Sequence, residues 1–286
     1  MSADMTGQLV ILTGASSGIG AAAAVELARL GAEVVPVGRD LRRLEKVAQR
    51  IEAVGTGTPA RPLQADFASL ADVWRLAADL TERYERIDVL INNAGIVMGR
   101  RESSEDGYEM TFAVNHLAPF LLTRLLLDRL RQSAPARIVT TSSDAHTGGL
   151  IDFEDLQLER SWSSWKAYSN SKLANILFTR ALASRLPRDE VVVNCLHPGV
   201  VRSRLGRHSR TPVRVGWSVA RLFFTSPRRG ASTIVYLASS PAGGEVSGGY
   251  FVKSRAAPLR GQATDDLAAD WLWETSEKLV EPFLAS

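Results

Sequence analysis

Gln8-Leu9-Val10-Ile11-Leu12-Thr13-Gly14-Ala15-Ser16-Ser17-Gly18-Ile19-Gly20 is the stretch from which the fold can be read. The apolar run at 8–12, ending at Thr13-Gly14, predicts a short buried strand. Residues 21–30 then read as a helix, closed by Gly31. Between them the glycines are spaced G-x-x-x-G-x-G, not the G-x-G-x-x-G of the commoner dinucleotide fingerprint. Strand, glycine turn and helix in that order form a phosphate cradle. Glycines allow close backbone approach, and a helix N-terminus presents free N–H groups and the positive end of a dipole. An ordinary glycine-rich turn is the plainer reading. The flanking strand and helix favour a nucleotide site built from Gly14, Ser16, Ser17, Gly18, Ile19 and Gly20.

Outward from there the alternation continues. A second strand is predicted at 33–37, and the residue at its end selects the cofactor. An acidic side chain there accepts from the ribose 2′-OH and repels a 2′-phosphate. Gly38 holds that place and Arg39 follows it, so a guanidinium stands beside an open position. That suits the 2′-phosphate of NADP, and NADP(H) is expected over NAD(H). Further strands are predicted at 60–65, 88–91, 137–141, 190–196 and 249–252. Helices are predicted at 41–53, 69–85, 103–132, 165–186 and 229–239, and a terminal one at 264–281. Ser69 is expected to cap its helix, and Pro119 to kink its own. Asp66-Phe67, at the end of the third strand, is placed to cover an adenine ring. Strands alternating with helices imply an α/β fold with a parallel sheet covered on both faces. No linker or repeat divides the chain, so one domain over 1–286 is expected. Gly14, Asn92, Ser143 and Pro198 all follow strand C-termini, the edge where open α/β sheets bind ligands.

Composition bounds the function. The chain has 286 residues, 45% hydrophobic and 23% charged, which is ordinary for a soluble globular protein. Its 34 basic against 31 acidic residues leave +3, too little to imply nucleic acid. Cys195 is the single cysteine, so no internal disulfide forms, as suits a reducing compartment. Its apolar flanks predict a buried strand and a packing role. No signal peptide is read at the N-terminus, and the most apolar segment, 117–130, carries Arg124, Asp128 and Arg129, so a buried helix is expected. A cytoplasmic location follows as the expectation. His116, His146, His197 and His208 show no metal-ligand spacing, so no metal is expected. No G-x-S-x-G elbow supports Ser-His-Asp hydrolysis.

Chemistry is suggested by Tyr168-Ser169-Asn170-Ser171-Lys172. Residues four apart share a helix face. A lysine cation close to a phenol favours the phenolate and lowers a pKa that is ordinarily near ~10. The pair can then work as an acid or base near neutrality. Y-x-x-x-K arises often by chance, so its weight comes from its context.

That context is specific. Thr13-Gly14-x-x-x-Gly18-x-Gly20, Asn92-Asn93-Ala94-Gly95, Asn115, Ser143, Tyr168-x-x-x-Lys172 and Pro198-Gly199 occur in order. Together they resemble the short-chain dehydrogenase/reductase family over about 8–252. The resemblance implies a Rossmann-type, doubly wound seven-stranded parallel sheet in order 3-2-1-4-5-6-7. It also implies a catalytic tetrad of Asn115, Ser143, Tyr168 and Lys172, with Ser142 the fallback for the serine. By the same resemblance Tyr168 exchanges a proton with the carbonyl oxygen as hydride moves to or from the nicotinamide. Ser143 hydrogen-bonds that oxygen, Lys172 tunes the tyrosine and binds the nicotinamide ribose, and Asn115 holds a water. Asn93, Ala94, Gly95, Pro198, Gly199, Val201 and Ser203 would complete the cofactor contacts, Ser203 standing where threonine is usual.

Ser143 and Tyr168 lie 168 − 143 = 25 positions apart, about twice the spacing of many family members. That insertion, with Ile151-Asp152-Phe153-Glu154-Asp155-Leu156 inside it, resembles the retinol dehydrogenase and WW-domain oxidoreductase branch. A lipophilic carbonyl or alcohol is the implied substrate. Residues 202–229, rich in arginine and aromatics, occupy the family's substrate lid; peripheral membrane contact is the less favoured reading of its basic face. The helices at 103–132 and 165–186 are the surfaces through which family members pair as homodimers or homotetramers, though this branch need not use them. Two other readings stand beside the leading one: an ene or imine reductase on the same scaffold, and a non-catalytic NADP sensor.

Overall fold

Strand β1, Leu9–Thr13, is buried along its whole length, and successive side chains leave it on opposite faces. Leu9 and Ile11 enter one apolar cluster, Val10 and Leu12 the other. The same alternation runs through the later strands, Ile138 against Val139 and Val193 against Leu196, so the sheet carries a core on each side. This computed structural model describes residues 4–55, 60–199 and 226–284.

The strands are β1, β2 (Glu33–Gly38), β3 (Leu63–Gln64), β4 (Val89–Asn92), β5 (Ala136–Thr141), β6 (Val191–His197), β7 (Tyr250–Val252) and β8 (Arg255–Ala256). Their order is β3-β2-β1-β4-β5-β6-β7-β8. The expected seven-stranded parallel order is present, and β8 adds an eighth strand, antiparallel to β7. The turn into β8 passes through Lys253 and Ser254, both with positive φ (51° and 59°). Without a glycine there, no sequence signal announces the hairpin.

Helices α1 (Gly18–Arg29), α2 (Leu41–Glu52) and a helix at Pro227–Ser239, α6, cover one face. Helices α3 (Leu70–Arg83), α4 (Ala118–Gln132), α5 (Ser164–Arg185) and α7 (Asp266–Leu284) cover the other. The segment Met110–Gln132 is the one stretch among the described residues long and apolar enough to cross a membrane, and 83% of its apolar window is buried inside the protein.

Three local expectations are corrected. Residues 103–109 are not helical; Ser103 instead pairs with Glu109 in an antiparallel bridge. Helix begins at Met110–Phe112, widens to a π-helix at Ala113–Leu117, and only then becomes α4. Pro119 lacks the N–H that would bond the carbonyl four residues back, so the widened turn lies where that bond is missing. Ser69 occupies the N-cap of α3 but its side chain makes no capping bond; Asp106 accepts from the Leu70 N–H at 2.9 Å instead. The third strand shrinks to two residues at the sheet edge.

Candidate active site

The glycine turn forms because the chain needs backbone conformations and clearances that a side chain would deny. Gly14 and Gly18 have φ of 68° and 61°. A Cβ on Gly14 would stand 2.7 Å from the Ala94 Cα, and one on Gly20 2.6 Å from the Asn93 Nδ2. Thr13 Oγ1 accepts from the N–H groups of Asn93 (3.0 Å) and Ala94 (3.1 Å), and Asn93 Nδ2 returns a bond to the Thr13 carbonyl (3.0 Å). The ends of β1 and β4 are thereby tied together. Ser17 caps α1 in extended backbone, its side chain making no capping bond, and the first turn holds no acidic residue. The helix start thus presents N–H groups beside a glycine floor, an arrangement that fits a dinucleotide's phosphates.

Further along the edge, Gly38 lies against Ser16, whose Oγ would be 3.7 Å from an added Cβ. Arg39 follows, exposed, and among the described residues its guanidinium pairs with no carboxylate. Its carbonyl accepts from Gln64 Nε2 at 3.0 Å, which fixes the backbone at the β2–β3 end. Asp66 is half-buried there, accepting from the Ala68 N–H at 3.0 Å. Phe67 differs from expectation: it is buried in the core under α3, which leaves Asp66 as the member of the pair at the cleft.

The four residues of the expected tetrad converge from three places: the π-turn, the end of β5 and α5. Asn115 sits fully buried in the π-turn. Its Oδ1 accepts from the Ile96 N–H (2.7 Å), and its Nδ2 donates to the Ile96 carbonyl (3.0 Å) and Ser171 Oγ (2.9 Å). Lys172, on α5, is buried, and its Nζ donates to the Thr141 carbonyl at 3.0 Å. Gly95 fills the gap between them: a Cβ there would lie 3.2 Å from Asn115 Oδ1 and 3.5 Å from Lys172 Nζ. The Lys172 ammonium stands 5.6 Å from the Tyr168 ring centroid.

The two serines separate cleanly. Ser142 is buried and spends its hydroxyl on the Lys172 carbonyl at 2.7 Å. Ser143, the next residue, is in extended backbone beyond the end of β5; its Oγ accepts from the Ala145 N–H at 3.2 Å and acts on the Tyr168 phenol. Pro198 and Gly199 follow β6, half-buried at the same edge, Gly199 with φ of 81°. Val201, Ser203 and nearly all of the segment 202–229 lie outside the described residues.

Electrostatics depart from the expected picture. Burial raises the Tyr168 phenol above its ordinary value, and the Ser143 hydrogen bond only opposes that. Burial also pushes Lys172 down to about 8. Lysine proximity therefore does not make a standing phenolate here; both groups are desolvated, which favours a neutral phenol that can give up a proton.

Several supporting residues went unread in the sequence. Ser171 Oγ bridges Asn115 to the Tyr168 carbonyl (2.8 Å), so the residue between tyrosine and lysine matters as much as the spacing. Asn175 joins Lys172 on the Thr141 carbonyl at 3.3 Å. Glu109, 1% exposed, accepts from the Phe112 N–H (2.7 Å) and from Trp162 Nε1 (3.1 Å). It anchors the insertion after Ser143 to the start of the π-turn that carries Asn115.

Comparisons with known proteins agree with this geometry. A family model described as short chain dehydrogenase matches residues 8–213. Retinol dehydrogenase 14 of Mus musculus is 45% identical over 293 residues, covering 96% of this chain and 86% of that protein. A Mycobacterium paratuberculosis protein of known structure is 33% identical with a TM-score of 0.76, over 98% of this chain and 96% of the other. The Pseudomonas aeruginosa RhlG/NADP active-site complex is 30% identical with a TM-score of 0.67, over 87% of this chain and 95% of the other.

Proposed function

The chain belongs to the short chain dehydrogenase family, in its retinol dehydrogenase-like branch, and from that premise we propose an NADP(H)-dependent oxidoreductase that interconverts a lipophilic aldehyde or ketone and its alcohol. The observation that carries the reading is the meeting of Tyr168, Ser143, Lys172 and Asn115 at the sheet edge that also holds the glycine turn.

When bound, the dinucleotide supplies or accepts the hydride. The chain's own residues handle the proton and the charge. Tyr168 donates its phenolic proton to the carbonyl oxygen in reduction and takes it back in oxidation. Ser143 donates a hydrogen bond to the same oxygen as negative charge develops. Lys172, cationic below about pH 8, stabilises the transient phenolate and offers N–H groups to ribose hydroxyls. Asn115 holds the turn around Ile96 and, with Ser171, keeps the base of α5 in place. Arg39 supports the choice of NADP, since a guanidinium beside Gly38, paired with no carboxylate among the described residues, complements a 2′-phosphate. The branch relatives' names support a lipophilic substrate.

Tyr168→Phe should lower turnover of aldehydes and ketones by about 10²–10⁴-fold while NADPH still binds. NADPH consumption over a panel of aldehydes, ketones, enones and imines is the measurement. Turnover of enones or imines alone would make the protein an ene or imine reductase, and binding without any turnover would make it a sensor. Arg39→Asp should shift the NADP/NAD preference towards NAD by about 10- to 100-fold, the scale of a hydrogen bond to a charged group. An unchanged ratio of kcat/KM for the two cofactors would remove Arg39 as the selector.

A further inference from the structure

Ser143 precedes a short turn, Asp144–Gly148, whose first residue is held by side chains from two strands, His197 on its backbone and Tyr250 on its carboxylate. His197, the last residue of β6, accepts from the Asp144 N–H at Nδ1 (3.2 Å) and meets the Asp144 carboxylate with Nε2 (3.2 Å). A neutral imidazole that accepts at Nδ1 carries its proton on Nε2, the nitrogen that here faces the carboxylate. The other Asp144 oxygen accepts from the Tyr250 hydroxyl at 2.7 Å. Tyr250 lies on β7, opposite Cys195 in the sheet, two residues before His197. Its ring meets His146 edge-on, with centroids 5.0 Å apart. His146 in turn donates to the Ser143 carbonyl from its amide (3.0 Å) and from Nδ1 (2.8 Å). The peptide group between Ser143 and Asp144 is thus held by histidines at both its N–H and its carbonyl.

A packing role alone would not call for this residue. His197 is 7% exposed, and an apolar side chain would fill the space without the cost of burying a polar ring. What a polar side chain supplies here and an apolar one cannot is an acceptor for the Asp144 amide, with an N–H facing the Asp144 carboxylate. We propose that His197 is a positioning residue for the reaction: its neutral ring fixes the turn that aims the Ser143 hydroxyl at Tyr168. This rests on the oxidoreductase reading above.

Protonation would undo the arrangement. A proton on Nδ1 faces the Asp144 N–H with a second donor, so the turn must shift. The groups facing His197 are Asp144, His146 and, through Asp144, Tyr250. Burial lowers the proton affinity of His197, Asp144 opposes that, and His146 adds to it. The neutral ring therefore persists below its ordinary value of 6.5, and the reaction should fail only on the acid side of that.

The test is a pH profile of kcat for carbonyl reduction at saturating NADPH. Wild type should lose activity along an acid limb below pH 6.5. His197→Phe should lower kcat by about 10-fold or more at every pH, with NADPH affinity kept within about 3-fold, as expected for misplacement rather than lost binding. His197→Asn retains an acceptor near the Nδ1 position and cannot be protonated. It should recover most of the kcat and lack the acid limb. Tyr250→Phe releases the Asp144 carboxylate to attract the imidazolium, so the acid limb should move to higher pH. Equal loss in the Phe and Asn variants, or an acid limb persisting in His197→Asn, would overturn the proposal. Nitrogen-15 NMR of the histidine rings is independent of turnover and of variant folding. The proposal requires His197 as the neutral Nε2–H tautomer at pH 7, and an Nδ1–H tautomer would end it. Absence of turnover in a wild-type protein with that tautomer would instead count against the oxidoreductase reading.

Discussion

Lys172 is where burial and charge compete most directly. Its ammonium is buried, takes one carbonyl, and is held to about 8 by desolvation. In the proposed mechanism the cation is the form that stabilises the phenolate left when Tyr168 gives up its proton. Because the folded value lies below the ordinary 10.5, the charge is present at neutral pH and is lost as pH rises through about 8. Carbonyl reduction should therefore show an alkaline limb in kcat/KM near pH 8 at saturating NADPH, and Lys172→Arg, which stays charged, should move that limb upward. A flat profile across that range would mean that the ammonium is not needed in its charged form. Tyr168 itself is pushed up by burial, so its own deprotonation falls on the alkaline side of its ordinary value and does not set this limb.

Elements were legible in the sequence where the signal is local. The turn from β1 to α1 needs positive φ at Gly14 and Gly18 and no Cβ at Gly20, and glycine spacing reports all three. The burial of both faces of β1 follows from its unbroken apolar run at 9–12, and β5 and β6 keep mostly apolar runs that Arg137 and Asn194 interrupt. The preference for Ser143 over Ser142 comes from the family resemblance, and the bond from Ser142 to the Lys172 carbonyl shows where the Ser142 hydroxyl is engaged. What was not legible depends on partners distant in sequence. The Asp106 cap on α3 reaches across 36 positions, and the anchoring of Trp162 by Glu109 across 53. Neither leaves a pattern within a window of a few turns. The π-turn is an intermediate case: Pro119 announces a disturbance, but its form, and its delivery of Asn115 inward, depend on packing against Ser171. The hairpin to β8 was hidden because its left-handed turn uses lysine and serine rather than glycine.

Over the whole molecule, α7 closes the face of the sheet that carries Asn115, and it does so through the residue beside Asn115. His116 is fully enclosed among Phe112, Phe120 and Phe178, with its Nε2 2.9 Å from Ser276 Oγ on α7. The Tyr108 hydroxyl donates to the Leu279 carbonyl at 2.8 Å, and Arg124 pairs with Glu277. Trp273 lies between the guanidiniums of Arg124 and Arg185 and against Phe120. Burial depresses the His116 imidazole from 6.5 to about 3, with Asn175 opposing. The sign follows from that direction. The unfolded chain binds a proton at His116 below pH 6.5 while the folded chain refuses it, so stability is full above 6.5 and falls as pH drops towards about 3. One proton taken up only on unfolding costs about 1.4 kcal/mol for each pH unit in that window. His116→Phe keeps the aromatic packing and removes the proton site, at a constant penalty for the Ser276 hydroxyl left without its partner. Urea unfolding of both proteins from pH 7 to 4 should show wild type losing stability more steeply, the difference narrowing or reversing by about 1.4 kcal/mol per unit. Parallel curves would place the acid sensitivity elsewhere, among the carboxylates of the surface ion pairs.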